Sequence, residues 1–180
     1  AGTNGYLGKV LVERFDKEGH EVHTLTRKPM NFGQGIHNWV WDGEHVEAWV
    51  IAFEKADALI NLAGRSVDCR YTSKNKQQIR ESRKKSTLTL GAACIMADRP
   101  PKLWINSSSA TIYAHNQELP AYGEDGKIGD GFSVEVCQEW ESTFFEIPLP
   151  ETRKVALRLA MVLGNQGGVL PTLVNFAKKG

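Results

Sequence analysis

The sequence lacks long apolar runs, a charge surplus and a cysteine framework. No apolar stretch reaches membrane-spanning length, so we predict no membrane partner. Twenty-two basic and 21 acidic residues give a net charge of +1, so no global field attracts nucleic acid. The three cysteines, Cys69, Cys94 and Cys137, have no C-x-x-C spacing. They predict reduced, mostly buried thiols in a cytoplasmic protein rather than disulfides or a zinc site.

Several catalytic motifs are also missing. The chain contains no G-x-S-x-G nucleophile elbow and no G-K-[ST] phosphate loop. His45-Val46-Glu47 matches H-x-E, but no P-C-x-x-C follows it, which excludes a zinc deaminase. The other histidines show no metal-ligand spacing, so we predict no metal.

The chain also shows no strand before its first glycine and no initiating Met. A strand that feeds a glycine loop in a doubly wound sheet is a central one. We therefore expect residues 1–180 to be part of a longer chain, with the first strand of the sheet missing from this one.

What the sequence does contain is an alternation of strand and helix patterns. At 180 residues and 41% hydrophobic composition, it is long enough for one sizeable core. The predicted strands are 21–26, 36–41, 58–64, 103–109 and 154–163, and the predicted helices are 7–18, 46–53, 72–97, 132–144 and one from 169. This order predicts a single α/β domain over 1–180, a Rossmann-like doubly wound parallel sheet with helices on both faces.

The first eight residues are the strongest functional signal. Gly2, Gly5 and Gly8 form G-x-x-G-x-x-G and run directly into a helical pattern. Glycines there allow backbone N–H groups to approach a pyrophosphate, which the helix N-terminus also favours. The predicted cofactor-binding loop also includes Thr3, Asn4, Tyr6 and Leu7.

The end of the second predicted strand bears on which dinucleotide would bind. An Asp or Glu usually stands there to bind the ribose hydroxyls of NAD. This chain has Arg27 and Lys28 instead, and such cations can bind a 2′-phosphate. We therefore expect NADP(H) to be preferred over NAD(H). The alternative is that both side chains only solvate a loop.

Two further strand ends carry candidate site residues. Asn61, Leu62, Ala63 and Gly64 lie where open α/β sheets bind ligands, although small residues there can equally serve helix packing. The stretch 107–113 also follows a strand, and its hydroxyls can hold a substrate oxygen, with a phenol as acid or base.

The basic stretch 70–85 is better explained as a solvated helix face than as a nucleic-acid surface, so we predict no nucleic-acid partner.

Taken together, the motifs resemble the extended and atypical short-chain dehydrogenase/reductases, the NAD(P)-dependent epimerase/dehydratase superfamily. The matching motifs are G-T-N-G-Y-L-G (2–8), N-L-A-G (61–64), S-S-S-A-T-I-Y (107–113) and L-R-L-A-M-V-L-G (157–164). Within that superfamily the chain is most similar to a sugar-nucleotide epimerase-like group, through W-D-G (41–43), R-Y-T (70–72), I-R-E-S-R (79–83) and F-S-V-E-V-C-Q-E-W-E (132–141). The resemblance covers nearly the whole chain.

This resemblance implies cofactor contacts at the glycine loop, Arg27 and 61–64, and places the family's catalytic serine or threonine at Ser109. It also implies a further substrate-binding portion beyond Gly180. The family's Tyr-x-x-x-Lys falls on Phe132 and Val136, neither of which can titrate. Tyr113 is then the nearest substitute for the lost phenol.

The expected function is an NADP(H)-dependent oxidoreductase or epimerase-like enzyme. Its substrate would be a small hydroxy, keto or nucleotide-sugar-like molecule, with Ser109 and Tyr113 as catalytic residues. The alternative is a non-catalytic NADP(H)-binding or sensing protein. A homodimer is expected by family analogy alone.

Overall fold

The computed structural model describes residues 1–33, 35–115, 123, 126–164 and 167–179. The strands are β1 (Val22–Thr26), β2 (Ile36–Val40), β3 (Ala58–Asn61), β4 (Leu103–Ser109) and β5 (Arg153–Leu159), followed by the short β6 (Leu163–Gly164) and β7 (Gly167–Gly168). The α-helices are α1 (Tyr6–Lys17), α2 (Ser73–Met96), α3 (Phe132–Glu146) and α4 (Leu170–Ala177). Helices and parallel strands alternate as predicted, which confirms the α/β class.

The five longer strands form two parallel groups around one core. β1 pairs with β2, while β4 lies between β3 and β5. Leu25 of β1 and Trp104 of β4 belong to the same buried cluster. Ala1 lies beside β3, because its amino group donates to the Ile60 carbonyl (2.8 Å) and its carbonyl accepts from the Leu62 N–H (3.0 Å).

Helix α2 is the longest element and crosses from β3 to β4. Thr72 caps its N-terminus, accepting a hydrogen bond from the Asn75 N–H at 3.2 Å, as expected for a threonine at this position. Trp140 of α3 donates to the Thr87 hydroxyl of α2 at 2.9 Å, which joins the two helices through buried groups. The predicted helix 72–97 is confirmed.

Three element predictions need correction. The predicted helix 46–53 is a shorter 3₁₀ helix, Ala48–Phe53, which buries Trp49 and Phe53. The predicted strand 154–163 ends at Leu159, because Leu159 pairs with Ser109, the last residue of its partner strand β4. The strand predicted over 58–64 ends at Asn61, and its last three residues leave the sheet.

Two predicted turns lie partly outside the described residues. These are the loop 115–131 and the turn 164–168.

No helix in the described part of the chain has both the length and the apolar character needed to cross a membrane. Cys94 and Cys137 are buried and Cys69 is half-buried, all as free thiols, and burial raises the pKa of Cys94 to about 12.

Candidate functional site

The glycine loop fits closely against the end of β3. Gly2 has a φ of +79°, and a Cβ on it would lie 2.6 Å from the Leu62 carbonyl carbon. A Cβ on Gly8 would lie 2.5 Å from the Cα of Thr3, within the loop itself. Gly5 is different, since a Cβ there would meet nothing closer than 3.5 Å. Two of the three glycines are therefore required by packing, while Gly5, the N-cap of α1, would accept a Cβ in ordinary van der Waals contact.

A cleft of about 620 Å³ opens between this loop, the strand ends and α2. Seven of the predicted cofactor-binding residues line it: Gly2, Asn4, Gly5, Arg27, Leu62, Ala63 and Gly64. The structure thus brings together three segments that lie far apart in the sequence.

The other predicted cofactor-binding residues lie outside this lining. Thr3 is buried, and its hydroxyl has no hydrogen-bond partner in the described part of the chain. The ring of Tyr6 packs against the backbone of β6 and β7, so close that a Cβ on Gly164 or Gly167 would lie 2.2 Å from it. Leu7 is half-buried in the first turn of α1.

Asn61, the last residue of β3, does not line the cleft but supports it through hydrogen bonds. Its side chain is fully buried, donates to the Asn106 Oδ1 at 2.7 Å and accepts from the Ala63 N–H at 3.0 Å. The Asn106 amide in turn donates to the Ser107 carbonyl at 2.9 Å. This buried amide pair joins the ends of β3 and β4 and fixes the turn that carries Ala63 into the cleft.

Part of the cleft lining was not predicted from the sequence. Its further members are Leu25, Thr26, the loop 41–44, Arg65 and five residues of α2, namely Gln78, Glu81, Ser82, Lys85 and Ser86. Lys85 donates to the Glu44 carboxylate at 3.0 Å, and the Thr89 hydroxyl donates to the Gly43 carbonyl at 3.2 Å. The W-D-G motif (41–43) could have indicated the loop 41–44 as part of the cleft, because a turn after β2 lies at the same edge of the sheet as the glycine loop.

Two arginines, Arg27 and Arg65, contribute positive charge to the lining of the cleft. Arg27 is exposed at the end of β1 and forms no ion pair within the described residues. Arg65 follows the Leu62–Gly64 turn, and its guanidinium donates to the Asn75 side chain at 2.8 Å. Asp42, Glu44 and Glu81 add negative charge, although Asp42 is paired with His45 and Glu44 with Lys85. An anionic ligand could therefore be held by Arg27 or Arg65.

Ser109 and Tyr113 lie at the end of β4 and do not line the cleft. The Ser109 hydroxyl donates to the Thr111 hydroxyl at 2.9 Å and accepts from the Thr111 N–H at 3.2 Å. Ser109 therefore caps the short 3₁₀ helix that follows, Ala110–Ile112. The Tyr113 hydroxyl donates to the Gly123 carbonyl at 3.1 Å and accepts from the Arg158 guanidinium at 2.9 Å.

A charged network supports this strand end and was not predicted. Arg158 donates to both Glu141 oxygens, at 2.9 and 2.8 Å, and the Ser108 hydroxyl donates to the same carboxylate at 2.6 Å. Burial disfavours the charged carboxylate, but the hydrogen bonds from Arg158 and Ser108 outweigh it and lower the pKa of Glu141. The network joins α3, β4 and β5 directly behind Ser109.

A separate group of potential metal ligands lies on β1 and β2. Glu21, His23 and His37 place one ligand atom each within 4.8 Å of one another. The Trp39 indole N–H donates to His23 Nδ1 at 3.0 Å, so His23 carries its proton on Nε2, which faces Glu21. A metal at Nε2 would need the lone pair on that atom and a proton on Nδ1. The hydrogen bond from Trp39 therefore opposes metal binding.

Comparison with known protein families assigns the chain to one of them. Residues 1–130 match the profile of the NAD dependent epimerase/dehydratase family. The chain belongs to this family. The resemblance drawn from the motifs is thereby confirmed.

Curated relatives from bacteria and animals match nearly the whole chain. An epimerase family protein of Mycobacterium leprae is 30% identical over 171 residues, which are 94% of this chain and 54% of the relative. The human epimerase family protein SDR39U1 is 30% identical over 173 residues, 94% of this chain and 55% of the relative. The chain thus spans about half the length of the curated relatives it matches.

Solved structures of this family share the fold. Human SDR39U1 (isoform 2), in a structure with NADPH, superposes with a TM-score of 0.81 at 27% identity, covering 99% of this chain and 58% of that one. A nucleoside-diphosphate sugar epimerase from Corynebacterium glutamicum gives a TM-score of 0.79 at 28% identity, covering 99% and 37%. The Rossmann-like fold predicted from the sequence is therefore confirmed.

Phe132 and Val136, which the resemblance aligns with the superfamily's Tyr-x-x-x-Lys pair, both contribute to packing. The Phe132 ring contacts the Tyr71 ring edge-on, with centroids 5.3 Å apart, and the Lys76 and Arg80 cations lie 5.1 and 5.4 Å from its centre. Val136 is buried in α3. Neither position offers a proton, as the sequence indicated.

Proposed function

We propose that the chain binds NADP(H) in the cleft between the glycine loop, Arg27 and the Leu62–Gly64 turn. The single observation that carries this proposal is the convergence of these three segments on one cleft. Gly5 lines the cleft at the N-terminus of α1, a position that suits a pyrophosphate. The structure of human SDR39U1 with NADPH supports it, since the two chains share fold and family.

The preference for NADP(H) rests on Arg27. The residues directly after β1 are Arg27 and Lys28 rather than a carboxylate, and the Arg27 cation has no ion-pair partner in the described part of the chain. A guanidinium donates to phosphate oxygens in pairs, which suits a 2′-phosphate.

The reaction class we propose is that of an oxidoreductase or epimerase acting on a small hydroxy, keto or nucleotide-sugar-like substrate. Ser109 would hold the substrate oxygen and Tyr113 would serve as acid or base, with Arg158 fixing the phenol through its 2.9 Å hydrogen bond. A cytosolic location, in keeping with the three free cysteines, belongs to the same proposal. The homodimer stays a prediction.

A second candidate function is NADP(H) binding or sensing without catalysis. The packing of Phe132 and Val136 favours it, because the positions that the resemblance aligns with the Tyr-x-x-x-Lys pair carry no titratable side chain. Turnover of NADPH or NADP⁺ with any member of a ketone, alcohol and nucleotide-sugar panel would rule this alternative out. Absence of turnover together with NADPH binding would support it.

The test of the cofactor preference is Arg27→Ala, with Lys28→Ala as the matched control. Losing a charge-assisted contact should weaken NADPH binding by about tenfold or more, while NADH binding should change little. Lys28→Ala should leave both affinities nearly unchanged if Arg27 alone contacts the phosphate. An equal loss for NADPH and NADH in Arg27→Ala would contradict the 2′-phosphate role.

A further inference from the structure

Arg83 of α2 carries a half-buried cation at the junction of three elements. Its guanidinium lies over the Trp140 indole, with 5.1 Å between Cζ and the ring centre. One of its nitrogens donates to the carbonyls of Ile79 at 3.0 Å and Arg65 at 3.2 Å. A Cβ on Gly64 would lie 3.4 Å from Cζ, so the cation also packs against the end of the β3 turn.

The charge of Arg83 is not balanced within the described residues. Arg80, one turn earlier on α2, binds Glu135 and Glu139, and Arg158 binds Glu141. Arg83 has no such carboxylate in the described part of the chain, and burial lowers the pKa of its guanidinium. Burying an unpaired cation is costly, so an anion arriving from solution would be bound favourably.

The surroundings of Arg83 connect it with Ser109. The Cys137 thiol and the Tyr71 phenol lie near the guanidinium. The same Cys137 sulfur accepts a hydrogen bond from the backbone of Ser109. Arg83 thus packs against Gly64, on the rim of the cleft, and lies close to Cys137, which the backbone of Ser109 contacts.

We propose that Arg83 binds an anionic group of the substrate, a phosphate or a carboxylate, beside Ser109. Only one of its terminal nitrogens is engaged by carbonyls among the described residues, which leaves the other terminal nitrogen and Nε to donate. This assignment adds to the proposed function that the substrate is anionic, and it depends on the chain having that function. A pyrophosphate oxygen of the cofactor would offer the same chemistry.

The experiment is a calorimetric titration with inorganic pyrophosphate as the probe, carried out on the protein saturated with NADPH. Wild type is compared with Arg83→Gln and with Arg80→Gln, which removes a paired cation from the same helix. We expect Arg83→Gln to weaken pyrophosphate binding by about tenfold and Arg80→Gln to change it less than about twofold. Arg83→Lys, which keeps the charge but not the fork, should fall between wild type and Arg83→Gln.

Three outcomes would overturn the assignment. Wild-type affinity in a folded Arg83→Gln protein would remove the role of Arg83, as would an equal loss in Arg80→Gln. Loss of pyrophosphate binding whenever NADPH is bound would assign the anion to the cofactor instead. Failure of NADPH itself to bind would contradict the proposed function. The assignment of Arg83 would then still be tested by the pyrophosphate titration without NADPH, which compares Arg83→Gln with Arg80→Gln.

Discussion

The glycine-loop end (residues 2–8 and 61–64) and the Ser109 end of the sheet edge are built in different ways. At the glycine-loop end, the backbone of Gly2 lies directly on the backbone of Leu62, and no side chain fits between them. At the Ser109 end, side chains make the structure, with Glu141 held by Arg158 and Ser108. The first region presents a concave backbone surface, whereas the second presents fixed charges and hydroxyls.

This difference explains how much of each region could be predicted from the sequence. A glycine that must approach a strand end leaves a short local motif, so the loop 2–8 and the strand end 61–64 could be recognised directly. The pairs at the Ser109 end join residues far apart in the chain, since Ser108 and Glu141 are separated by 33 positions and Tyr113 and Arg158 by 45. No local pattern indicates which of several glutamates will meet which arginine.

The largest expected effect comes from comparing Gly2→Ala with Gly5→Ala. Gly2→Ala places a Cβ 2.6 Å from backbone atoms at a φ of +79°, whereas Gly5→Ala meets nothing closer than 3.5 Å. In Gly2→Ala the backbone strain should cost about 1–3 kcal/mol of unfolding free energy, and the clash with the Leu62 and Ala63 backbone should add about 1–3 kcal/mol, measured in urea. Gly5→Ala should keep its stability within about 0.5 kcal/mol yet bind NADPH more weakly. Equal stability of the two variants would contradict this account of the loop.

The next effect tests the charged network at the Ser109 end. Glu141→Gln leaves Arg158 without its carboxylate in a site where the two side chains are 13% and 23% exposed, and should destabilise the protein by roughly 2–4 kcal/mol. The control is Glu135→Gln, which removes a partner of Arg80 that is 56% exposed and should cost about 0–1 kcal/mol. Similar losses in the two variants would show that the network is no stronger than a surface pair.

The same network predicts a dependence on pH. Because the pKa of Glu141 is lowered in the folded protein, its contribution is fully present above the unfolded pKa of about 4.3. It is lost as the pH falls through the lower folded pKa. The stability difference between wild type and Glu141→Gln should therefore shrink in acid, as followed by urea unfolding at several pH values. A difference that stays constant to the lowest pH would argue against ion pairing as its cause.

The smallest effect separates the two ends functionally. Ser109→Ala removes a cap on a short 3₁₀ helix, so it should cost only about 0.5–2 kcal/mol and leave NADPH affinity unchanged. Turnover of an identified substrate should fall if Ser109 holds the substrate oxygen. Unchanged turnover would remove Ser109 from the reaction.

Beyond the site, the sequence predicted elements best where one strong local signal marks them. Thr72 and the prolines after Ala97 bound α2 as expected. The strand predicted to Leu163 was too long, because β5 stops where β4 no longer pairs with it, and apolar residues alone do not reveal the length of a partner. The cleft members on α2 were missed for a related reason, since only the packing of α2 against the 41–44 loop brings Lys85 to Glu44.

The most direct test of the account is a calorimetric titration of the protein with NADPH and then with NADH. The account predicts NADPH binding that is at least about tenfold tighter than NADH binding, because only NADPH carries the phosphate that Arg27 would meet. Absence of binding by both cofactors would contradict it, and the glycine loop would then be a packing feature of the fold.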